Sequence, residues 1–335
     1  MDFQIIKEIV NNKGREMALA TIIQATGSTP RHEGTNMLVF SDGSFVGTVG
    51  GGTGEERIRQ FALSVIKDKK NAISQITLQD DIAMKEGMIC GGTMKTHVEY
   101  VRETKTYERI LSLLNNKEQG ILFRDLEGDK KILVSEKEAK NQSELARELL
   151  PDELLTRLLH RDKFCVKGRW VIEAVTPYEK MVVFGGGHIS IPLTEMASRC
   201  EFEVTVIDDR PEFANKERFP WADLVLCKPF EKALSEIGFD TATYVVLVTR
   251  GHAYDMICLR EILKNPCKYI GMIGSKSRVK TLLNNLEEEG YDRELLDSIY
   301  TPIGLPIGAE TTQEIAISIM SEIIALRRDR IAHFS

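Results

Sequence analysis

The sequence has few cysteines, and none of them show the paired spacings typical of cysteine sites. Its six cysteines are scattered along 335 residues: Cys90, Cys165, Cys200, Cys227, Cys258 and Cys267. No two of them form a Cys-x-x-Cys pair, and the sequence contains no His-Glu-x-x-His motif. These absences argue against a disulfide framework, a structural zinc site and a zinc-protease helix.

The sequence also lacks a basic excess and a long apolar run near its start. The formal charge of -6 is spread along the chain, so nucleic acid is not an expected partner. The first residues, MDFQIIKEIVNNKG, mix acids and amides with apolar residues, which is typical neither of a signal peptide nor of a membrane span. With 42% hydrophobic and 28% charged residues, the composition indicates a globular protein, and we expect it to be cytoplasmic.

The first half of the chain has the pattern of an α+β domain. Strand-like runs cover residues 17–25, 36–40 and 44–49, and Asp42-Gly43 between the last two is a strong hairpin signal. Apolar residues then recur at helical spacing over residues 57–67. We place the domain boundary near Pro177, which gives an N-terminal domain of residues 1–177 and a C-terminal domain of residues 178–335.

The second half alternates strand-like and helix-like segments. The strand-like runs are residues 181–185, 202–208, 222–227, 243–249, 268–274 and 298–304, and helical patterns begin near His188, Phe230, Ala253, Ser275 and Thr311. Consecutive apolar strands with helical connections predict a parallel sheet covered on both faces. The fold class is therefore α/β, with a doubly wound, Rossmann-like C-terminal domain preceded by an α+β domain.

The residues that directly follow these strands are the candidate ligand contacts, because ligands of such sheets bind outside the carboxyl ends of the strands. Glycines, charged residues and histidines are concentrated there. They are Gly185, Gly187 and His188 after the first strand, Asp208, Asp209 and Arg210 after the second, Arg250, Gly251 and His252 after the fourth, and Gly274 and Ser275 after the fifth.

The first of these turns, FGGGHIS, fits the dinucleotide-binding pattern G-x-G-x-x-G only in part. Ser190 stands where the third glycine is expected. The turn nevertheless follows a strand and opens a helix, and Asp208 lies about 20 residues further on, where a ribose-binding carboxylate belongs. Backbone N–H groups at Gly187 and His188, at the start of a helix, predict a phosphate contact.

A second glycine turn, GTVGGGTGEERI at residues 47–58, does not predict a phosphate contact. Its spacing resembles a P-loop, but Thr53-Gly54 replaces the required lysine and hydroxyl residue, so it is not a nucleotide triphosphatase loop. Glu55 lies in the first helical turn, where it would repel a second anion, and it is counted with the glycines of this turn among the candidate cofactor contacts. Gly50, Gly51 and Gly52 are instead expected to admit a flat group close to the backbone.

Eight motifs, in order along the chain, resemble the xanthine dehydrogenase accessory factor (XdhC/CoxI) family. In the first half they are GSTPRHEGTNMLV, VGTVGGGTGEERI and MICGGTMKTHVE. In the second half they are FGGGHIS, VIDDRPEFAN, VTRGHAYDMICL, GMIGSKSR and IGAETTQEIAISIMSEIIALRR. The resemblance leaves residues 105–175 without a distinctive motif.

The resemblance implies a maturation role. A member of this family holds molybdenum cofactor (molybdopterin), protects its sulfurated form and passes it to a molybdenum hydroxylase such as xanthine dehydrogenase. A cysteine desulfurase-type sulfurase is a further expected partner, and a homodimer is the default assembly.

Cys90 is the candidate metal contact under this interpretation. It lies between Ile89 and two glycines, which would let its thiolate approach molybdenum or its terminal sulfur. A packed, structural Cys90 is the alternative. In the same domain, Ser28 and Arg31 are candidate anion contacts, although an exposed turn arginine is ordinary. Cys200, Cys227, Cys258 and Cys267 lie inside apolar patterns and are expected to be packing residues.

Two functions remain open from the sequence. The first, which we favour, is a cofactor chaperone. The second is an NAD(P)-dependent oxidoreductase, which Asp208 and the glycine turn would suit, although no Tyr-x-x-x-Lys pair or comparable proton donor accompanies them. Arg250 has its own structural alternative, an ion pair with Asp208 or Asp209 that braces the crevice. His188 and His252 are either ligand contacts or local helix-start residues.

Overall fold

The structure is a computed structural model that describes residues 2–77, 92–141, 158 and 163–328. The chain divides into two compact units, residues 1–177 (unit 1) and residues 178–335 (unit 2). Each unit has its own sheets and its own hydrophobic core. No helix among the described residues is both long enough and apolar enough to cross a membrane.

Unit 1 begins with an antiparallel sheet of five strands in the order β3-β2-β1-β5-β4. Its strands are β1 (Met17–Thr26), β2 (Asn36–Phe40), β3 (Phe45–Gly47), β4 (Ala72–Thr77) and β5 (Thr93–Tyr100). Two helices belong to this part, α1 (Phe3–Asn11) and α2 (Gly52–Asp68). Ile58, Ala62 and Val65 of α2 pack on one face of the sheet, as their helical spacing predicts.

A second antiparallel sheet of unit 1 has the order β7-β6-β9-β8. Its strands are β6 (Gly120–Asp125), β7 (Lys131–Ser135), β8 (Phe164–Lys167) and β9 (Trp170–Val175). Helices α3 (Lys105–Asn115) and α4 (Glu136–Asn141) accompany it. The antiparallel sheets confirm the α+β class of this half.

Unit 2 is a parallel sheet in the order β12-β11-β10-β13-β14. Its strands are β10 (Glu179–Phe184), β11 (Phe202–Asp208), β12 (Leu224–Cys227), β13 (Thr243–Leu247) and β14 (Tyr269–Met272). Its helices are α5 (Ser190–Arg199), α6 (Phe230–Glu236), α7 (His252–Ile262), α8 (Lys276–Glu288), α9 (Arg293–Asp297) and α10 (Thr312–Arg327). The strand order turns back between β10 and β13, which is the doubly wound arrangement that the alternation predicts.

Side chains of β10 show that both faces of this sheet are buried. Val182 and Phe184 belong to one hydrophobic cluster, which contains residues of α6, α7 and α8. Met181 and Val183 belong to a second cluster, which contains residues of α5 and α10. Because successive strand residues point to opposite faces, helices cover the sheet on both sides. The Rossmann-like class is confirmed.

Some elements differ from the sequence prediction. The sixth strand, expected at residues 298–304, is reduced to a single parallel bridge between Tyr300 and Gly271. Cys227 is exposed rather than packed, because β12 lies at the edge of the sheet, whereas Cys258 is buried as expected. The capping box that begins α10 is present, with Thr311 and Glu314 bonding each other's backbone N–H groups.

Candidate functional site

The glycine turn after β10 contains two glycines that the fold itself requires. Gly185 has a φ of +108°, and a Cβ atom there would lie 2.4 Å from the carbonyl oxygen of Val248. A Cβ atom on Gly186 would lie 2.3 Å from the carbonyl oxygen of Phe213. Both distances are shorter than real Cβ contacts, so neighbouring backbone forces glycine at these positions.

Gly187 differs, because a Cβ atom there would meet no described atom within 4 Å. Helix α5 begins three residues later, and no side chain among the described residues caps it. Ser190 is buried, and its hydroxyl donates to the carbonyl oxygen of Gly185, so the residue that replaces the third glycine closes the turn. Open space above Gly187 and an uncapped helix start are features of an anion contact.

Asp208 at the end of β11 is bonded by the protein on both carboxylate oxygens. The Gly186 N–H donates to Oδ2 at 2.8 Å, and the Arg210 guanidinium donates to Oδ1 at 2.8 Å and to Oδ2 at 2.9 Å. Burial alone would raise the pKa of Asp208, but these bonds outweigh it and hold the pKa below its ordinary value. Asp208 is 2% exposed and joins β11 to the glycine turn.

Arg250, after β13, forms the bracing pair that the sequence offered as an alternative. Its guanidinium donates to Oδ2 of Asp209 at 2.8 Å and also to the Tyr254 hydroxyl, and it lies over the Tyr254 ring. The bond to Tyr254, together with the charge of Asp209, raises the pKa of Arg250. The ends of β11 and β13 are therefore linked by an ion pair at the carboxyl edge of the sheet.

Arg218 is a site residue that the sequence gives no reason to choose. Its Nε donates to the carbonyl oxygen of Gly186 at 3.2 Å, and its guanidinium lies over the Phe213 ring. Arg210 lies over the same ring, 3.7 Å from its centroid. Nη2 of Arg218 is buried and has no hydrogen-bond partner among the described residues. A cationic donor of this kind beside a glycine turn suits an anionic ligand group.

A cavity of about 200 Å³ lies at the carboxyl ends of β13 and β14. Of the predicted site residues, Arg250, Gly251 and Gly274 line it. Ser275 is exposed at the start of α8, and no described side chain caps that helix. His188 is exposed at the start of α5. The side chain of His252 lies outside the described residues, so its role stays a prediction.

The predicted residues of unit 1 lie in loops of that unit. Gly50, with a φ of +134°, would place a Cβ atom 2.3 Å from Cγ of Pro30. A Cβ atom on Gly92 would lie 2.7 Å from the carbonyl oxygen of Ser28. The loops at residues 28–31 and 50–52 therefore meet, and both Ser28 and Arg31 are exposed there. Cys90 lies outside the described residues, and its metal role stays a prediction.

The unit 1 glycine turn is occupied by a carboxylate of its own chain. Oε2 of Glu55 accepts hydrogen bonds from the N–H groups of Val49, at 3.0 Å, and Gly51, at 3.2 Å, and from the Thr48 hydroxyl. Gly51 and Gly52 have φ values of +78° and +61°, which favour glycine in such a turn. An anion could not share these amides with Glu55, which agrees with the prediction that this loop is not a triphosphate loop. Among the described residues, no group of three His, Cys, Asp or Glu could hold a metal ion.

Comparisons with known proteins agree with this arrangement. Residues 181–323 match the XdhC Rossmann domain, and residues 11–78 match the XdhC and CoxI family. A probable xanthine dehydrogenase subunit of Bacillus subtilis (strain 168) is 27% identical over 98% of both chains. The molybdenum cofactor insertion chaperone PaoD of Escherichia coli (strain K12) is 22% identical, over 94% of this chain and 84% of its own.

A solved structure has the same fold throughout. It is the crystal structure of a xanthine dehydrogenase from Bacillus halodurans, with 26% identity and a TM-score of 0.81. The likeness covers 99% of this chain and 97% of the other. The architecture of both units is therefore shared with that protein.

Proposed function

Because the chain belongs to the XdhC and CoxI family, we propose that it is an accessory protein that binds molybdenum cofactor. It delivers the cofactor in its sulfurated form to a xanthine dehydrogenase-type molybdenum hydroxylase. The names of two relatives, a cofactor insertion chaperone and a xanthine dehydrogenase component, support this assignment. A sulfurase that supplies the terminal sulfur, a homodimeric state and a cytoplasmic location belong to the same proposal.

The observation that carries the proposal is the carboxyl edge of the unit 2 sheet. Gly187 has open space above it, and Arg218 presents a buried guanidinium nitrogen beside the same turn. The cofactor is a pterin whose side chain holds molybdenum through a dithiolene and ends in a phosphate. Gly187 and Arg218 would hold the phosphate end by charge and backbone donation. The bound cofactor supplies the molybdenum centre that the client enzyme needs.

The state of Asp208 favours this function over an NAD(P)-dependent oxidoreductase. A ribose-binding carboxylate must turn its oxygens toward the ligand hydroxyls. Here Arg210 and the Gly186 amide bond both oxygens, and the residue is 2% exposed. Opening this site to a ribose would break hydrogen bonds to a charged group, each of which contributes about 1.5 to 3 kcal/mol.

The test is to purify the protein from cells that make molybdenum cofactor. Bound molybdenum is measured by elemental analysis, and the pterin by the fluorescence of its oxidised form. We expect both in amounts approaching one per chain or one per dimer. Protein that carries neither, but binds NADH tightly and transfers hydride to a small substrate, would contradict the proposal.

Cys90 is proposed as the contact at the molybdenum end. A serine hydroxyl is harder than a thiolate and protonated at neutral pH, so Cys90→Ser should lose molybdenum more than pterin. The readout is activation of apo-hydroxylase per mole of folded protein. Cys200→Ser, Cys258→Ser and Cys267→Ser are the matched controls, and they should change stability rather than activation. Normal molybdenum content and activation by Cys90→Ser would reduce Cys90 to a packing residue.

A further inference from the structure

Helix α10 has apolar residues on two sides, and only one of these sides packs inside unit 2. Ala316, Ile319 and Ile323 are buried in the cluster that covers one face of the sheet. On the other side, Ile317 is 45% exposed and Ile324 is 37% exposed. A helix at the surface of a globular unit ordinarily turns charged and polar residues toward water. The exposed side of α10 therefore has the composition of a surface that packs against something.

Helix α8 of the same unit shows the ordinary pattern. Its Leu282, Leu283 and Leu286 are buried. The exposed positions of α8 whose side chains the structure describes all carry polar or charged residues. The exposed isoleucines of α10 are therefore not a general property of the helices that cover this sheet.

The loop that leads into α10 carries a third exposed isoleucine, Ile307, which is 52% exposed. Leu305 of this loop donates its N–H to the carbonyl oxygen of Ser318 and accepts from the Ser318 hydroxyl at 2.7 Å. The loop therefore runs beside the first half of α10. Three of the most exposed isoleucines of the described chain thus lie within 18 residues of each other, on this helix and its loop.

The exposed side of α10 is one stripe of residues in steps of three and four. The stripe consists of Glu314, Ile317, Ser321, Ile324 and Arg328. Residues at these steps lie along one side of a helix, and the same steps form the contact seam of paired helices. Ser321 is in the middle, an isoleucine lies on each side of it, and charges of opposite sign lie at the two ends.

This order makes the stripe complementary to itself. In two antiparallel copies that cross at Ser321, Ile317 of one copy lies opposite Ile324 of the other, and the acidic end of each helix meets the basic end of the other. A two-fold interface has this property, because the same surface on both copies must fit itself. The small side chain of Ser321 at the crossing point lets the two helices approach closely.

The charges at the two ends are open to a partner. Arg328 is exposed, and its side chain makes no hydrogen bond or ion pair with a described residue, whereas the adjacent Arg327 pairs with Glu179. At the acidic end, Oε2 of Glu314 accepts from backbone N–H groups in the capping box. Glu310, at the same end, is exposed, and its carboxylate has no partner among the described residues.

We propose that the α10 stripe is the interface between two copies of this chain, with the two α10 helices antiparallel about a two-fold axis at Ser321. The isoleucines supply the apolar centre of the contact, and Arg328 of each copy pairs with the acidic end of the other. The inference rests on the proposed function, which includes a homodimer, and adds which surface forms it.

The experiment measures the mass of the full-length protein by sedimentation over concentrations of about 0.1 to 100 μM, a range that brackets ordinary homodimer affinities. We expect a dimer for wild type. Ile324→Glu places a carboxylate in the apolar centre and should raise the dissociation constant at least about tenfold. Leu295→Glu is the matched control, because Leu295 lies on α9 and is also 37% exposed, and it should leave the dimer unchanged. Circular dichroism checks that both variants are folded.

A charge reversal tests the antiparallel arrangement. Arg328→Glu sets an acid against the acidic end of the partner and should also weaken the dimer about tenfold. Glu310→Arg added to Arg328→Glu restores opposite charges across the interface and should recover much of the affinity. Glu310 is the residue to change, because Glu314 is needed for the capping box.

Three results would overturn the inference. They are a monomeric wild type, a dimer that Ile324→Glu does not weaken, and a double charge variant that dimerises no better than Arg328→Glu alone. The proposed cofactor function fails separately, when protein purified from cofactor-producing cells carries neither molybdenum nor pterin. A monomer that carries both would therefore reject this interface while leaving the chaperone function in place.

Discussion

At the scale of single residues, the glycines of one turn are expected to respond differently to substitution. Gly185→Ala adds a Cβ atom against the Val248 carbonyl oxygen at a positive φ, which should cost about 3 kcal/mol of unfolding free energy. A Cβ atom at position 187 would meet no described atom within 4 Å, so we expect Gly187→Val to change stability by less than about 0.5 kcal/mol. It should nevertheless lose bound pterin, because its side chain blocks the approach of a phosphate to the backbone.

Urea denaturation measures the stabilities of these two variants, and oxidised-pterin fluorescence measures the cofactor that each folded variant retains. Gly238→Val is the control for a glycine away from the site. Full pterin retention by Gly187→Val would remove the glycine turn from the binding site. Equal stability of Gly185→Ala and wild type would show that the backbone relaxes around the added carbon.

Asp208→Ala tests whether the carboxylate is a structural brace. The substitution removes the partner of Arg210 and of the Gly186 amide, so the free energy of unfolding should fall by about 2 to 3 kcal/mol. Because the folded-state pKa of Asp208 is lowered, wild type should lose this contribution as the pH falls below about 4, and the variant should show a flatter profile. Calorimetric titration should show that NADH binds poorly to both wild type and Asp208→Ala. Tight NADH binding that only the variant loses would restore the ribose role.

At the scale of elements, the sequence predicts the five strands of the unit 2 sheet and helix α2 of unit 1, but it misses helix α1. Strands of a parallel sheet are continuous apolar runs, so β10 and β13 are evident from Met181–Phe184 and Thr243–Leu247 alone. The sequence pattern does not predict α1, although its Ile5, Ile6 and Ile9 are buried. Its short apolar pattern lies among acids and amides, and only packing against the rest of unit 1 distinguishes it from a loop.

The sequence predicts where the site lies but not which of its side chains form ion pairs and hydrogen bonds with each other. Strand ends place Asp208, Asp209 and Arg250 at one edge, and the sequence correctly offers an ion pair of Arg250 as an alternative. The sequence does not show that Arg250 pairs with Asp209, or that Arg210 pairs with Asp208. Both pairings depend on the directions of side chains in irregular loops. Arg218 reaches Gly186 from 32 positions away in the sequence, a separation that no local pattern encodes.

Strand β5 of unit 1 contains a histidine that makes stability depend on pH. His97 is fully buried, and neither ring nitrogen has a hydrogen-bond partner among the described residues. Burial lowers its pKa to about 4, with Glu99 and Asp125 acting to raise it and Arg124 and Lys131 to lower it further. Unfolding frees the imidazole to take up a proton at about pH 6.5, so stability should fall as the pH drops from about 6.5 to 4.

The full effect is about 3 kcal/mol, from 1.36 kcal/mol for each unit of pKa difference. Chemical denaturation of wild type and His97→Leu across this pH range measures it, with His188→Leu as the control for an exposed histidine. The free energy of unfolding of His97→Leu should not change over that pH range, apart from the contributions of other titrating groups. A pH profile shared by wild type and His97→Leu would show that the buried imidazole accepts a proton without cost.

At the scale of the whole molecule, each unit contains a complete set of sheets and cores. In unit 2 both faces of the sheet are covered by helices of residues 178–335. We therefore expect this fragment, expressed alone, to fold and to unfold in one cooperative thermal transition followed by circular dichroism. A fragment without a cooperative transition would mean that unit 2 depends on unit 1 for stability.

Because of Glu55, the two glycine turns differ in how readily cellular nucleotides can bind their backbone amides. In the turn at residues 50–52, the Glu55 carboxylate accepts from the N–H groups of Val49 and Gly51, so ATP or free phosphate could bind these two amides only by displacing it. In the turn at residues 185–187, Asp208 accepts from the Gly186 N–H, whereas an ideal Cβ atom on Gly187 would meet no described atom within 4 Å. We therefore expect the proposed cargo and abundant metabolites to compete at Gly187. The protein must then distinguish the cofactor from those metabolites through the groups that surround the turn at residues 185–187.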